Sequence, residues 1–265
     1  MRRAVAAQVR AAAAFRRTVQ RAPRGARQWH PCGVTHDSDF GTAKAVLLDI
    51  GGVVLKPATL ILDELAATEP RLAAVLPPGG LGRSGDELWQ QMLARQVSER
   101  EYWQIRGEQI GVALGLGAGT RPLMELLYDN PAHRAAAAQI AYLRPEVVAL
   151  MHEVRAAGIP LGALTNDLVA FHGQAWVDRQ EWVTWFDLVV DASLTGVLKP
   201  DPRAYASGAE AIGFAPAEIV YLDDMPWNVE GGLAAGLGAV RVGHDDPSEA
   251  VATARRRLGL TPPPP

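Results

Sequence analysis

A chain of 265 residues that is 48% hydrophobic, with a formal net charge of −3, has room for one large globular unit or a core carrying a smaller insert. That charge excludes a nucleic-acid binder held by a broad basic face, and no apolar stretch reaches the roughly 18 to 20 residues a membrane span needs. Cys32 is the single cysteine, so no intrachain disulfide is possible, which fits a reducing compartment.

The N-terminal stretch differs from the rest. Arginines recur among alanines from Arg2 to Arg27, and no acid appears before Asp37. Residues 1–40 read as a disordered or targeting extension. Arg-rich, acid-poor composition also suits an organelle transit peptide; without import the chain is expected to be cytoplasmic. At the other end, the proline run predicts a disordered tail over 261–265.

From Lys44 onward the pattern is that of an α/β protein. Ala45 to Leu48 is an apolar run ending at Asp49, and it predicts a buried strand. Arg144 to Ala157 predicts a helix, with Pro145 in its first turn and Gly158 as its stop. Pro160 to Leu164, Asp187 to Val190, Ile219 to Leu222 and Ala239 to Val242 predict further strands. Helices are expected over Asp201 to Ile212, where Asp201 is the N-cap and Gly213 the stop, and around Val229 to Ala235. Strands alternating with helices predict a doubly wound, Rossmann-like parallel sheet.

Residues 57–143 have another texture. Asp86 to Gln96, Ser98 to Ile110, Pro122 to Tyr128 and Ala132 to Tyr142 predict helices, and Ser98 with Glu101 forms a capping box. The segment reads as a helical cap inserted into a core of 41–56 and 144–260. Gly115, Gly117 and Gly119 follow a helix, not a strand, so they predict a loop and not a dinucleotide site. Trp89, Tyr102 and Trp103 read as core residues of the insert, with substrate contact as the alternative, and Trp227, close to Asp223-Asp224, reads as a residue that packs at the mouth of a site or away from it.

Open α/β sheets bind ligands at the carboxyl ends of their strands. Asp49, Thr165, Lys199 and the pair Asp223-Asp224 stand at or near such ends, and their types suit phosphoryl chemistry. A carboxylate can attack phosphorus and split a hard hydrolysis into two steps. A hydroxyl and an ammonium can bind phosphoryl oxygens. Further carboxylates can hold a hard cation such as Mg2+.

These segments carry a resemblance. Val46-Leu47-Leu48-Asp49-Ile50-Gly51 resembles the first motif of the haloacid dehalogenase-like hydrolases. Leu164-Thr165-Asn166 is similar to their second, Lys199-Pro200-Asp201 to their third, and Tyr221-Leu222-Asp223-Asp224, continuing through Asn228 to Gly236, to their fourth. Order and spacing match over about residues 44 to 243, and the helical insert sits where subfamily I carries its C1-type cap. The resemblance implies that Asp49 is the nucleophile and a metal ligand. It implies that Thr165 and Asn166 bind the phosphoryl group and that Lys199 bridges nucleophile and phosphoryl oxygens. Asp224 would ligate Mg2+ directly, Gly51 would offer its backbone carbonyl, and Asp223 and Asn228 would support the metal.

One departure has chemical consequences. Family phosphatases usually carry a second aspartate two residues after the nucleophile, as general acid and base, and this chain has Gly51. General acid-base help is worth about 10²- to 10⁴-fold. The expectation is therefore a Mg2+-dependent phosphatase for a small phosphorylated metabolite that is slow, favours good leaving groups, or takes its acid from the cap; the sequence names no residue for that last role. The rivals are a metal-independent haloacid dehalogenase-type hydrolase, which the Asp223-Asp224 pair disfavours, and a catalytically weak relic with a regulatory or interaction role. A receiver-like phosphoacceptor is disfavoured by the insert and the motif order.

Overall fold

Short apolar runs without polar interruption suit strands covered on both faces. The computed structural model describes residues 42–129 and 141–260, and in it these runs become β1 (Ala45–Leu48), β2 (Leu161–Thr165), β3 (Leu188–Asp191), β4 (Ile219–Asp223) and β5 (Gly238–Arg241). All pairings are parallel, in the order β3–β2–β1–β4–β5. Successive side chains of a strand point to opposite faces. Val46 and Leu48 accordingly join one apolar cluster with Leu161, Ala163, Val220 and Leu222, while Ala45 and Leu47 join another with Leu164, Ile219 and Tyr221. The doubly wound α/β architecture follows from a sheet buried on both sides.

Strand order places the ligand crevice. The chain leaves β1 to build β2 and β3 on one side, then crosses to build β4 and β5 on the other. The switch point lies between the carboxyl ends of β1 and β4, where Asp49 and Asp223-Asp224 stand. β3 begins and ends one residue later than predicted, which puts Asp191 at its carboxyl end. There it accepts hydrogen bonds from the Val169 N–H at 2.7 Å and the Ser193 N–H at 2.9 Å, fixing the loop beyond β2.

After β1 the described helices are Ala58–Ala66, Pro70–Ala73, Glu87–Leu93, Glu99–Leu114 and Thr120–Tyr128. The predicted helix at 132–142 lies almost wholly outside the described residues, as do the N-terminal extension up to 41 and the tail 261–265. The capping box forms as read: Ser98 and Glu101 close it, and Gly115 ends the helix in the left-handed region at φ 71°. Asp86 caps the preceding helix through the Trp89 N–H at 3.0 Å, accepts from the Tyr102 hydroxyl at 2.7 Å and pairs with Arg106. One buried carboxylate thereby ties two helices together. The segment's two connections to the sheet lie side by side, joined by an antiparallel bridge between Leu55 and Leu143.

The pattern left several helices unread. Ala58–Ala66 starts directly after Pro57, and Ser248–Arg257 buries only Ala250, Val251 and Ala254, too small a stripe to read from composition. Among the described residues, no helix is long and apolar enough to cross a membrane.

Candidate active site

Asp49 follows β1, and its carboxylate accepts a hydrogen bond from the Ile50 N–H at 2.7 Å. Lys199, whose side chain is only 1% exposed, places its ammonium 3.0 Å from Asp49 Oδ1 and 2.7 Å from Asp223 Oδ2. Its third partner is the Leu164 carbonyl at 2.9 Å. All three ammonium protons are thus assigned, and the side chain is held in one geometry. Burial opposes the charged lysine, but Asp223 and Asp49 outweigh it and hold the pKa above the usual lysine range. Burial pushes the Asp49 carboxyl up to about 6, and Lys199 offsets part of that shift.

Asp223 is fully committed. Its Oδ2 accepts from Lys199 and the Tyr221 hydroxyl, and its Oδ1 from the Met225 N–H at 2.9 Å and the Asn228 amide at 3.1 Å. Its part in the site is to hold Lys199 and Asn228. Asp224 differs: it is half-buried, and burial, reinforced by Asp223 and Asp49, drives its carboxyl well above the ordinary range. Oxygens of Asp49, Asp223 and Asp224 lie within 4.8 Å of one another. Asn228 Oδ1 is buried with no hydrogen-bond partner.

Thr165 is the last residue of β2, is buried, and lines the same chamber as Asp49 and Lys199. The Asn166 side chain is spent elsewhere. Its amide donates to the Lys199 carbonyl at 3.1 Å and accepts from the Lys199 N–H at 2.8 Å. It clamps the loop that delivers Lys199, so any contact with substrate falls to its backbone.

The two glycines after Asp49 have opposite roles. Gly51 has φ −65° and ψ 130°, and a Cβ built on it meets nothing within 4 Å. Gly52 has φ 70°, and its Cβ would overlap the Asp224 carboxylate. A left-handed alanine costs roughly 1–2 kcal/mol before any overlap. Gly52→Ala is therefore expected to lower the melting temperature by about 2–8 °C, whereas Gly51→Ala leaves it within about 2 °C. Thermal melts of both variants check the contrast, and equal shifts would refute it.

Beside Gly51 and Asp224 a second chamber opens, walled by Trp89, Trp103, Met124, Tyr128 and Phe171. Tyr102 is a core residue as expected. Trp89 and Trp103 also face this chamber, where the substrate-contact alternative would place them. Trp227 lies near Lys199 at the edge of another cleft. Glu99 lines both the Asp49 chamber and the aromatic one, and the sequence analysis did not single it out.

The fold and these residues define a doubly wound α/β protein with a charged crevice at its switch point. A family model described as haloacid dehalogenase-like hydrolase matches residues 43–236, and the chain belongs to that family. It is 26% identical over 221 residues to "Acyl-CoA dehydrogenase family member 10" of Mus musculus, covering 82% of this chain and 19% of that one. It is 27% identical over 205 residues to the "Glyceraldehyde 3-phosphate phosphatase" of Methanopyrus kandleri, covering 75% and 83%. A crystallised L-2-haloacid dehalogenase shares the fold with TM-score 0.53 at 18% identity, over 81% of this chain and 99% of that one. The chain spans about a fifth of the mouse relative's length, and the relatives include both phosphatases and a haloacid dehalogenase.

Proposed function

We propose that the protein is a Mg2+-dependent phosphatase that acts on a small phosphorylated metabolite through an aspartyl-phosphate on Asp49. The observation that carries this reading is the cluster of Asp49, Asp223 and Asp224, whose negative charge exceeds what Lys199 alone can offset. A dehalogenase-type reaction needs the nucleophile but no cation, and Asp224 would then be an uncompensated carboxylate beside it. The donor set fits a hard cation: carboxylate oxygens of Asp49 and Asp224, with the buried Oδ1 of Asn228 in support, and the family resemblance adds the Gly51 carbonyl. A divalent cation held there supplies charge that offsets the repulsion between Asp49 and an incoming phosphate.

The remaining work falls to side chains. Asp49 attacks phosphorus. Lys199, fixed by Asp223 and Leu164, neutralises charge on the phosphoryl oxygens, and Thr165 donates its hydroxyl to them. Water then releases phosphate and restores the Asp49 carboxylate. No nucleic acid or membrane partner enters this reading.

Cation binding is expected to be visible without turnover. Saturating Mg2+ at about 100 times its Kd stabilises by about 2.7 kcal/mol, roughly 5–10 °C in melting temperature for a domain of this size. Melting curves with Mg2+ and with chelator check this. A shift below about 1 °C at millimolar Mg2+ would count against the metal site.

A further inference from the structure

We propose, resting on the phosphatase reading, that Glu99 of the helical insert is the catalytic residue that protonates the leaving alcohol. It would take over the task that a side chain at position 51 performs elsewhere in the family.

The two chambers fix where the ester lies. Asp49, Thr165 and Lys199 line one chamber; Asp224 and the aromatic wall of Trp89, Trp103 and Tyr128 line the other. Gly51, Leu55, Glu99, Phe171 and His172 line both, so they form the junction. A phosphoryl group presented to Asp49 puts its bridging oxygen at that junction and its alcohol portion in the aromatic chamber.

Among the described residues at the junction, two side chains can titrate, Glu99 and His172. His172 is buried, stacks on Trp176 at 4.2 Å between ring centres and meets Tyr128 edge-on at 5.3 Å. Burial pushes its pKa down to about 3, so the ring is neutral and carries no acidic proton at neutral pH. In the aromatic chamber, the Tyr128 hydroxyl donates to the Lys56 carbonyl at 2.8 Å. His244 is held between Thr59 at 2.7 Å and Asp245 at 2.9 Å. In the nucleophile chamber, Asp167 pairs with Arg100.

Glu99 is the group left over. Its carboxyl has no hydrogen-bond or ion-pair partner among the described residues, although it is half-buried. The capping box of Ser98 and Glu101 fixes the turn that presents it. Burial is the main cause of a carboxyl pKa pushed up to about 8, with Asp49 and Asp223 adding to it. Burial disfavours the ionised carboxyl, and the junction geometry sets this group beside the leaving oxygen, where it can hold a proton for delivery.

Asp49 forms its oxygen–phosphorus bond as the phosphorus–alcohol bond breaks, and the leaving oxygen takes the Glu99 proton. In the second step the Glu99 carboxylate accepts a proton from water as that water attacks phosphorus. The bond to Asp49 then breaks, which frees phosphate and returns both residues to their starting state.

The test compares 2-phosphoglycerol, an alkyl ester, with 4-nitrophenyl phosphate, whose leaving group needs little protonation, in the presence of Mg2+. Wild-type kcat/KM values on the two are expected to lie within about tenfold of each other. In kcat/KM, which the shared hydrolysis of the Asp49 intermediate does not enter, Glu99→Gln is expected to lose about 10²- to 10⁴-fold on the alkyl ester and less than about tenfold on the aryl ester. The Mg2+ concentration for half-activation and the melting temperature should stay at their wild-type values. Equal losses on both esters, a raised Mg2+ requirement, or an alkyl rate that survives the substitution would overturn the proposal alone. A wild-type alkyl rate orders of magnitude below the aryl rate would overturn it without any variant. No phosphate release by wild type from either ester would instead sink the phosphatase reading, and this proposal with it.

Discussion

Asp49→Asn is expected to fold and to lose turnover by on the order of 10⁴- to 10⁶-fold, the scale seen when a covalent nucleophile is removed. An amide cannot form the phosphoryl bond and is a poorer cation ligand. Folding should survive because the change is isosteric and removes a carboxylate that burial already disfavours in its charged form. Lys199 keeps Asp223 at 2.7 Å and the Leu164 carbonyl at 2.9 Å. Phosphate release and a thermal melt on the same preparation check both halves. Near-wild-type turnover in a folded variant would remove Asp49 from the chemistry.

Asp224→Ala should be the second large effect. The substitution removes the one carboxylate of the acidic cluster with no hydrogen bond or ion pair among the described residues, so the fold gains from lost repulsion by Asp223 and Asp49. The cation loses a direct ligand, and transition-state charge stabilisation worth several kcal/mol goes with it, roughly 10³-fold in rate. Mg2+ titrations of activity should show a raised requirement with little recovery at saturation. Asp223→Asn should act differently, because that carboxylate is engaged by four donors. Its loss leaves Lys199 buried with a weakened counter-charge, and melting temperature should fall along with rate.

Much of this site was legible because parallel sheets put their chemistry at strand ends. Asp49, Thr165 and Asp223-Asp224 each follow or close an apolar run, and strand order alone brings β1, β2 and β4 together. What the pattern could not separate was the division of labour. Asp223 and Asp224 are identical neighbours in sequence, yet one has both oxygens engaged and the other has none. Gly51 and Gly52 are equally alike, and the positive φ belongs to Gly52. Asn166 resembles a phosphoryl ligand but spends its amide on Lys199.

Glu99 shows the deeper limit. A glutamate in the first turn of a helix, one residue after a serine cap, is what helix electrostatics favours for local reasons alone. Nothing local distinguishes it from Glu101, which closes the capping box. Its aim at the crevice is set by how the insert seats on the sheet, a tertiary fact carried by contacts such as Arg100 with Asp167 and Arg95 with Glu230. For Trp89 and Trp103 core and substrate contact stayed open for the same reason: helix periodicity marks them apolar, and only the assembled chamber shows what they face.

Which bond Asp49 breaks separates a phosphatase from a dehalogenase. Wild-type protein should be assayed in parallel for phosphate release from small phosphomonoesters and for chloride release from 2-chloropropionate, each with Mg2+ and with excess chelator. The account predicts phosphate release that requires Mg2+ and disappears in chelator, with no chloride above background. Chloride release unaffected by chelator, together with no phosphate release, would contradict it.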